Sequence, residues 1–182
     1  MEVVSTAIPD VKIVKPKTFG DSRGFFLETW NRRDFADHGL NAEFVQDNYS
    51  RSSRGSLRGL HYQIQHTQAK LIRAVIGSIF DVIVDLRRSS RTFGQWVGIE
   101  LSEDNKHSVW IPEGFAHGFL VTSDVAGVQY KCTDFYAPAY ERTLRWDDAS
   151  LAIDWPLPDG QAPVLSSKDA AGTAFRDAEV FP

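Results

Sequence analysis

Cysteine is almost missing from this 182-residue chain: Cys132 stands alone. One thiol can neither close an intrachain disulfide nor build a thiolate metal cluster, and the scarcity favours a reducing compartment. A surplus of positive charge is also missing. The formal net charge is -4 at pH 7, which argues against a nucleic-acid partner, because counterion release needs a broad basic face. The arginines between Arg51 and Arg58 remain available for a phosphorylated small molecule. No apolar run approaches the ~18 residues that read as a membrane span. Met1–Val14 has no basic head followed by an apolar stretch, so no signal peptide is expected and the sequence reads as cytoplasmic. No G-x-G-x-x-G follows a strand-like run, which speaks against a dinucleotide cofactor.

Aromatic residues are plentiful: 12 Phe, 5 Trp and 5 Tyr. They suit an all-β interior or a cleft that stacks on flat rings. The length fits a single domain over residues 1–182, and no repeat or Ser/Gly-rich linker divides it. Helical signals are few. Asn31 to Leu40 reads as a short helix capped by Asn31 and ended by Gly39, and a second is expected to begin at Ser166 or Ser167. The middle reads as strands. Phe80, Val82, Val84 and Leu86 alternate with Asp81 and Asp85, and Gly77-Ser78 between this run and Leu71–Ile76 fits a hairpin turn. Gln95–Leu101, Ser108–Ile111, Phe119–Thr122 and Val128–Thr133 follow, with a break at Pro112-Glu113-Gly114. Short strands separated by turns predict a sandwich, barrel or jelly roll. The Pro-, Asp- and Gly-rich tail from Asp147 is expected to wrap the outside.

Polar groups that are costly to bury interrupt this pattern in several places. Gln46-Asp47-Asn48 leads into Leu57-Arg58-Gly59-Leu60-His61-Tyr62-Gln63, where His61 and Gln63 share one strand face and Leu60, Tyr62 and Ile64 the other. Arg58 and His61 could simply be hydrogen-bonded on a sheet surface. Lys70 could guard a strand edge or point into the cleft that holds His61. His117, between small residues in an apolar segment, could be a satisfied core histidine. Two histidines on different strands also invite a metal reading, but no His-x-His pair occurs and no carboxylate closely follows His61. Tyr130 falls with Val128 and Cys132 on the apolar face of its strand, and Asp169 has an ordinary place in a helix's first turn. Singly these residues decide nothing.

In combination they do. The chain resembles the dTDP-4-dehydrorhamnose 3,5-epimerase family through Asp21-Ser22-Arg23-Gly24-Phe25-Phe26 with Glu28, Gln46-Asp47-Asn48, Leu57 to Gln63, Lys70-Leu71, Ile111 to Phe119, Tyr130 to Thr133, Tyr136, Glu141, Asp154-Trp155-Pro156 and Ser167-Lys168-Asp169. The collinear match runs from about residue 9 to 175. Tyr49, where many relatives carry histidine, is a departure outside the catalytic positions. The resemblance implies an all-β, cupin-like double-stranded β-helix (jelly roll) with a few short peripheral helices, no cofactor and no metal. It implies His61 as base, Asp169 as its partner, Tyr130 as acid and Lys70 as the cation beside a sugar ketone. Arg23, Phe26, Glu28, Gln46, Asn48, Arg58, His117, Tyr136, Glu141 and Lys168 would bind the substrate, a dTDP-4-keto-6-deoxy sugar. The family is dimeric, and the Arg23 to Glu28 segment is expected to reach the neighbouring site.

The implied chemistry suits these residue types. A carbon beside a ketone loses its proton only if the enolate is stabilised, which a lysine in a dry pocket can do. Histidine as a residue type accepts protons near neutral pH, and a carboxylate behind it fixes the tautomer. A tyrosine keeps its proton at neutral pH and can return one to the opposite face. Three alternatives stay open: an epimerase acting at C3 alone, a metal-dependent cupin, and a non-catalytic sugar-nucleotide binding module.

Overall fold

The computed structural model describes residues 1–158 and 160–182. In chain order the strands are β1 (Glu2–Ser5), β2 (Lys12–Lys15), β3 (Thr18–Asp21), β4 (Gly24–Leu27), β5 (Gln46–Ser53), β6 (Leu57–Gln63), β7 (Lys70–Ile76), β8 (Ser78–Asp85), β9 (Trp96–Ser102), β10 (Ser108–Ile111), β11 (Phe115–Val121), β12 (Val125–Cys132) and β13 (Glu141–Thr143). Two short helices are α1 (Arg32–Asp37) and α2 (Ser167–Ala170). One sheet has the order β1-β2-β10-β7-β12-β5 and a second the order β13-β6-β11-β8-β9, while β3 and β4 form a separate hairpin. All these pairings are antiparallel. This is a jelly-roll arrangement of two facing sheets, one of the three architectures the strand pattern allowed and the one the resemblance implied.

Period-two alternation explains where the core sits. Ile72 and Ala74 of β7, Val109 and Ile111 of β10 and Val128 of β12 meet Ile79 and Ile83 of β8 and Val97, Ile99 and Leu101 of β9 between the sheets. Each large aliphatic side chain buried this way contributes roughly 1.5–3 kcal/mol. The other face of β8 is covered too. Val82, Val84 and Leu86 pack with Leu57, Leu60 and Tyr62 of β6 beneath Leu151, Trp155, Leu157, Phe175 and Phe181. The tail therefore wraps the second sheet, as expected, and β8 is buried on both faces, so Asp81 and Asp85 are fully enclosed.

Two expectations about the strands need correcting. Gly77 does not turn a β7–β8 hairpin: the two strands belong to different sheets, and the chain crosses between them there. Gly77 sits at φ +65, where an added Cβ would lie 2.0 Å from the Val125 carbonyl oxygen, so glycine is required for a close crossing rather than for a hairpin. Strand β11 starts at Phe115, not Phe119, because the turn ends at Gly114 with φ +89 and pairing with Asp85 begins at once. That puts His117 within a strand. Helix α1 is capped as predicted, the Asn31 side chain accepting from the Arg33 and Asp34 amides at 3.0 and 3.4 Å, but it closes at Asp37.

Candidate active site

A cavity of about 490 Å³ opens between the two sheets, within the range of small-molecule sites. The first sheet contributes Gln46, Asn48 and Ser50 from β5, Lys70 from β7, and Tyr130 and Cys132 from β12. The second contributes Arg58, His61 and Gln63 from β6, His117 and Phe119 from β11, and Glu141 from β13. Ser166, Lys168 and Asp169 arrive with α2, and Tyr136 stands nearby. The chain thus brings together the predicted His61, Tyr130, Asp169, Lys70, Gln46, Asn48, Arg58, His117, Tyr136, Glu141 and Lys168.

Arg58 reaches this cavity through an irregularity that simple alternation does not anticipate. Between β6 and β11, His117 lies opposite His61 while Phe119 lies opposite Arg58, so Gly59 and Leu60 of β6 together face Gly118 of β11. The extra residue lets Arg58 and His61 line the same cavity. Gly118 permits the close approach, since an added Cβ would meet the Arg58 carbonyl oxygen at 2.6 Å. Tyr49 alternates away from Asn48 and Ser50 and is 56% exposed, so this departure from the family lies outside the cavity lining.

His61 is anchored by a buried carboxylate. Its Nε2 lies 2.6 Å from Asp169 Oδ1, which also accepts from the Gly59 amide at 3.1 Å. Ser166 Oγ donates to Asp169 Oδ2 at 2.6 Å and accepts from the Asp169 amide at 3.2 Å, capping α2. Burial alone would raise the Asp169 pKa, but hydrogen bonds from His61, Ser166 and Gly59 outweigh it and hold the carboxyl at about 2. An ionised carboxylate only accepts, so in the neutral imidazole the proton sits on Nε2 and the lone pair on Nδ1. Sequence reasoning missed Ser166 as an anchor, although its place three residues before Asp169 was a capping signal.

His117 has a carboxylate of its own. Nε2 lies 2.8 Å from Asp81 Oδ2, and Asp81 Oδ1 has no hydrogen-bond partner among the described residues. Burial raises the Asp81 pKa against the pull of His117, and burial lowers that of His117. Asp81 was visible in the sequence only as a strand alternation. Burial also pulls Lys70 downward, while Cys132, Asp81 and Glu141 act to keep its proton. Burial, then Cys132, push the Tyr130 phenol upward, so it stays protonated near neutral pH.

The remaining polar groups shape the mouth. Glu141 accepts from Lys168 Nζ at 2.7 Å and from the Tyr136 hydroxyl at 2.8 Å. Gln46 accepts from the Tyr136 amide at 2.9 Å and donates to Asn48 Oδ1 at 3.1 Å. Gln63, not singled out from sequence, accepts from the Ala137 amide at 2.8 Å and donates to the His66 and Phe135 carbonyls at 2.6 and 3.2 Å, pinning both loops at the rim. Among the described residues no group of three His, Cys, Asp or Glu side chains is arranged to hold a metal ion.

Arg23, Phe26 and Glu28 do not join this cavity. Arg23 and Phe26 line a separate shallow surface on the β3–β4 hairpin, with the Arg23 side chain 87% and Phe26 70% exposed. Glu28 accepts from Asn31 Nδ2 at 3.2 Å. Phe19 and Phe25 are also exposed, so the hairpin presents unusual apolar area to its surroundings.

A sequence profile of the dTDP-4-dehydrorhamnose 3,5-epimerases matches residues 5–177. The chain belongs to the dTDP-4-dehydrorhamnose 3,5-epimerase family. It is 58% identical over 183 residues to the dTDP-4-dehydrorhamnose 3,5-epimerase of Pseudomonas aeruginosa, covering 100% of both chains. Its fold matches a dTDP-6-deoxy-D-glucose-3,5-epimerase from Legionella pneumophila in complex with dTDP-4-keto-L-rhamnose, with TM-score 0.94, 49% identity and coverage of 98% of this chain and 94% of that one. It also matches a 3'-monoepimerase from Streptomyces bikiniensis in complex with dTDP-quinovose, at TM-score 0.88 and 33% identity, covering 94% and 87% of the two chains. The jelly roll is therefore the cupin-like fold of these isomerases.

Proposed function

We propose that this chain, acting as one epimerase domain over residues 1–182, inverts C3 and C5 of dTDP-4-dehydro-6-deoxy-D-glucose to give dTDP-4-dehydro-L-rhamnose in dTDP-rhamnose biosynthesis, without a cofactor. One observation carries the reading: His61 and Tyr130 come from opposite sheets and line the same cavity. A flat sugar ketone held between them meets a base on one side and an acid on the other.

His61 Nδ1 takes the proton from the carbon beside the ketone, and the electron pair of that C–H bond moves to the C4 oxygen. Lys70 stabilises the resulting enolate in a site shielded from water. Asp169 favours the imidazolium that forms. Tyr130 then donates its hydroxyl proton to the opposite face of the carbon, the enolate collapses to the ketone, and exchange with solvent resets both groups. Both proton transfers leave the oxidation state unchanged, which is why no hydride carrier is needed. Arg58 would hold the diphosphate by its forked guanidinium. Gln46, Asn48, His117, Tyr136, Glu141 and Lys168 would position sugar and nucleotide.

Inversion at both carbons, rather than C3 alone, is favoured because the relatives with higher identity are 3,5-epimerases, while the monoepimerase stands at 33%. The chain would work in the cytoplasm as a homodimer, with the Arg23 to Glu28 hairpin lending Arg23, Phe26 and Glu28 to the partner's cavity and Phe26 resting against the thymine. The exposed aromatic rings of that hairpin support this. Incubation with dTDP-4-dehydro-6-deoxy-D-glucose, a ketoreductase, NADPH and EDTA tests the reaction. Formation of dTDP-L-rhamnose in chelator is expected. A product inverted at C3 only would reduce the function to mono-epimerisation, and unchanged substrate would refute it.

A further inference from the structure

The cavity holds two histidine–carboxylate pairs side by side, and their surroundings are opposite. His61 and His117 are directly paired across β6 and β11, each with Nε2 on a buried carboxylate. Asp169 receives three kinds of donor: the imidazole, the Ser166 hydroxyl and the Gly59 amide. Asp81 is fully buried, its side chain hydrogen-bonds to His117 alone, and one of its oxygens has no partner among the described residues. A carboxylate with several donors is stable as an anion, whereas an enclosed one with a bare oxygen is not.

We propose that Asp81 is a positioning residue that stays protonated and donates to His117 Nε2, so that His117 carries its own proton on Nδ1 and serves the bound sugar as a hydrogen-bond donor rather than as a second base. The Asp169–His61 pair then holds one proton and one negative charge, while the Asp81–His117 pair holds two protons and no charge. Identical residue types acquire different roles through their environments. Among the described residues the one side-chain hydrogen bond of His117 runs from its Nε2 side to Asp81, and His117 lines the cavity, so Nδ1 is left for the oxygen that becomes negative at C4. The directions of titration agree: burial raises Asp81 and lowers His117. The other charged groups acting on this pair are Lys70 on β7, which draws Asp81 the other way, and His61 on β6, which disfavours a second imidazolium beside it. The inference deepens the epimerase reading and rests on it.

The decisive experiment uses the unmodified protein labelled with 15N-histidine. Near neutral pH, His117 is expected to show a protonated Nδ1 and an unprotonated Nε2, with His117→Asn used only to assign the signals. An unprotonated His117 Nδ1, or an imidazolium protonated on both nitrogens, overturns the proposal, and this readout does not depend on any Asp81 variant folding. Kinetics supply the second arm. The amide of Asp81→Asn can still donate to Nε2, so its kcat is expected within about threefold of wild type, whereas Asp81→Leu loses about tenfold or more in kcat with KM little changed. Equal kcat in wild type and Asp81→Leu, or equal loss in both variants, contradicts the assignment. A wild-type protein that exchanges no substrate proton would instead refute the epimerase reading itself.

Discussion

In the proposed mechanism Tyr130 is the residue at which the two halves of the chemistry separate. Tyr130→Phe removes the donor hydroxyl and leaves His61 and Asp169 untouched. Loss of proton at the carbon beside the ketone is expected to continue, while formation of inverted product falls by about a hundredfold or more. Following solvent exchange and product in parallel checks this, and a variant as active as wild type would remove Tyr130 from the role. The proposed base, acid and lysine were legible through the resemblance, as residue types in a recognisable order. The two carboxylates were legible to different degrees. By local pattern Asp169 read as a helix first-turn residue, and its partnership with His61 was expected through the resemblance alone, because the contact joins positions 108 apart in sequence. Asp81 read as one member of an alternating strand; its importance comes from its enclosure on the Ile79 and Ile83 face between the sheets, beside His117, which depends on how the sheets stack and not on the local pattern.

At the scale of elements, the β6–β11 pairing decides which side chains meet. His61 was placed correctly by alternation with Leu60 and Tyr62, both of which pack under the tail. Alternation alone would put Arg58 with Leu60, but the bulge at Gly59-Leu60 opposite Gly118 shifts the register and brings Arg58 to the cavity, where the resemblance had placed it. Gly118 is where this can be probed. Gly118→Ala would force a Cβ to within 2.6 Å of the Arg58 carbonyl oxygen. A loss of about 1–3 kcal/mol in urea unfolding is expected from the overpacking, together with weaker substrate binding as Arg58 shifts. Unchanged stability and unchanged KM would show that the two strands have slack there. The mistaken hairpin at Gly77 has the same origin: glycine marks both tight turns and close crossings, and only the partner strands distinguish them.

At the scale of the molecule, two consequences follow from charge and from assembly. Asp85 and Asp169 are buried, and although burial alone would raise each, hydrogen bonds from Arg87, Ser90 and Thr92 to the first and from His61, Ser166 and Gly59 to the second hold both at about 2. An unfolded aspartate titrates near 3.9, so each contributes on the order of 2 kcal/mol of stability, complete above about pH 5 and lost as pH falls through 4 toward 2. Asp81, raised by burial, acts in the opposite sense. Denaturant unfolding between pH 6 and pH 3 should show a net decline; a flat profile would contradict the balance. Assembly is tested by mixing two crippled chains, Arg23→Ala and His61→Asn. If the hairpin serves the partner's cavity, activity reappears on mixing, because an intact site then receives an intact hairpin. No recovery in mixed dimers would return the hairpin to its own subunit.

The central claim is proton exchange on both sides of one ketone by one base and one acid. The most direct measurement follows the ring protons of dTDP-4-dehydro-6-deoxy-D-glucose by NMR in deuterated water with catalytic protein. Deuterium entering at both C3 and C5, with the rhamno-configured ketone captured by a reductase, is the result the site predicts. Folded protein that binds the nucleotide sugar and exchanges neither position would contradict it.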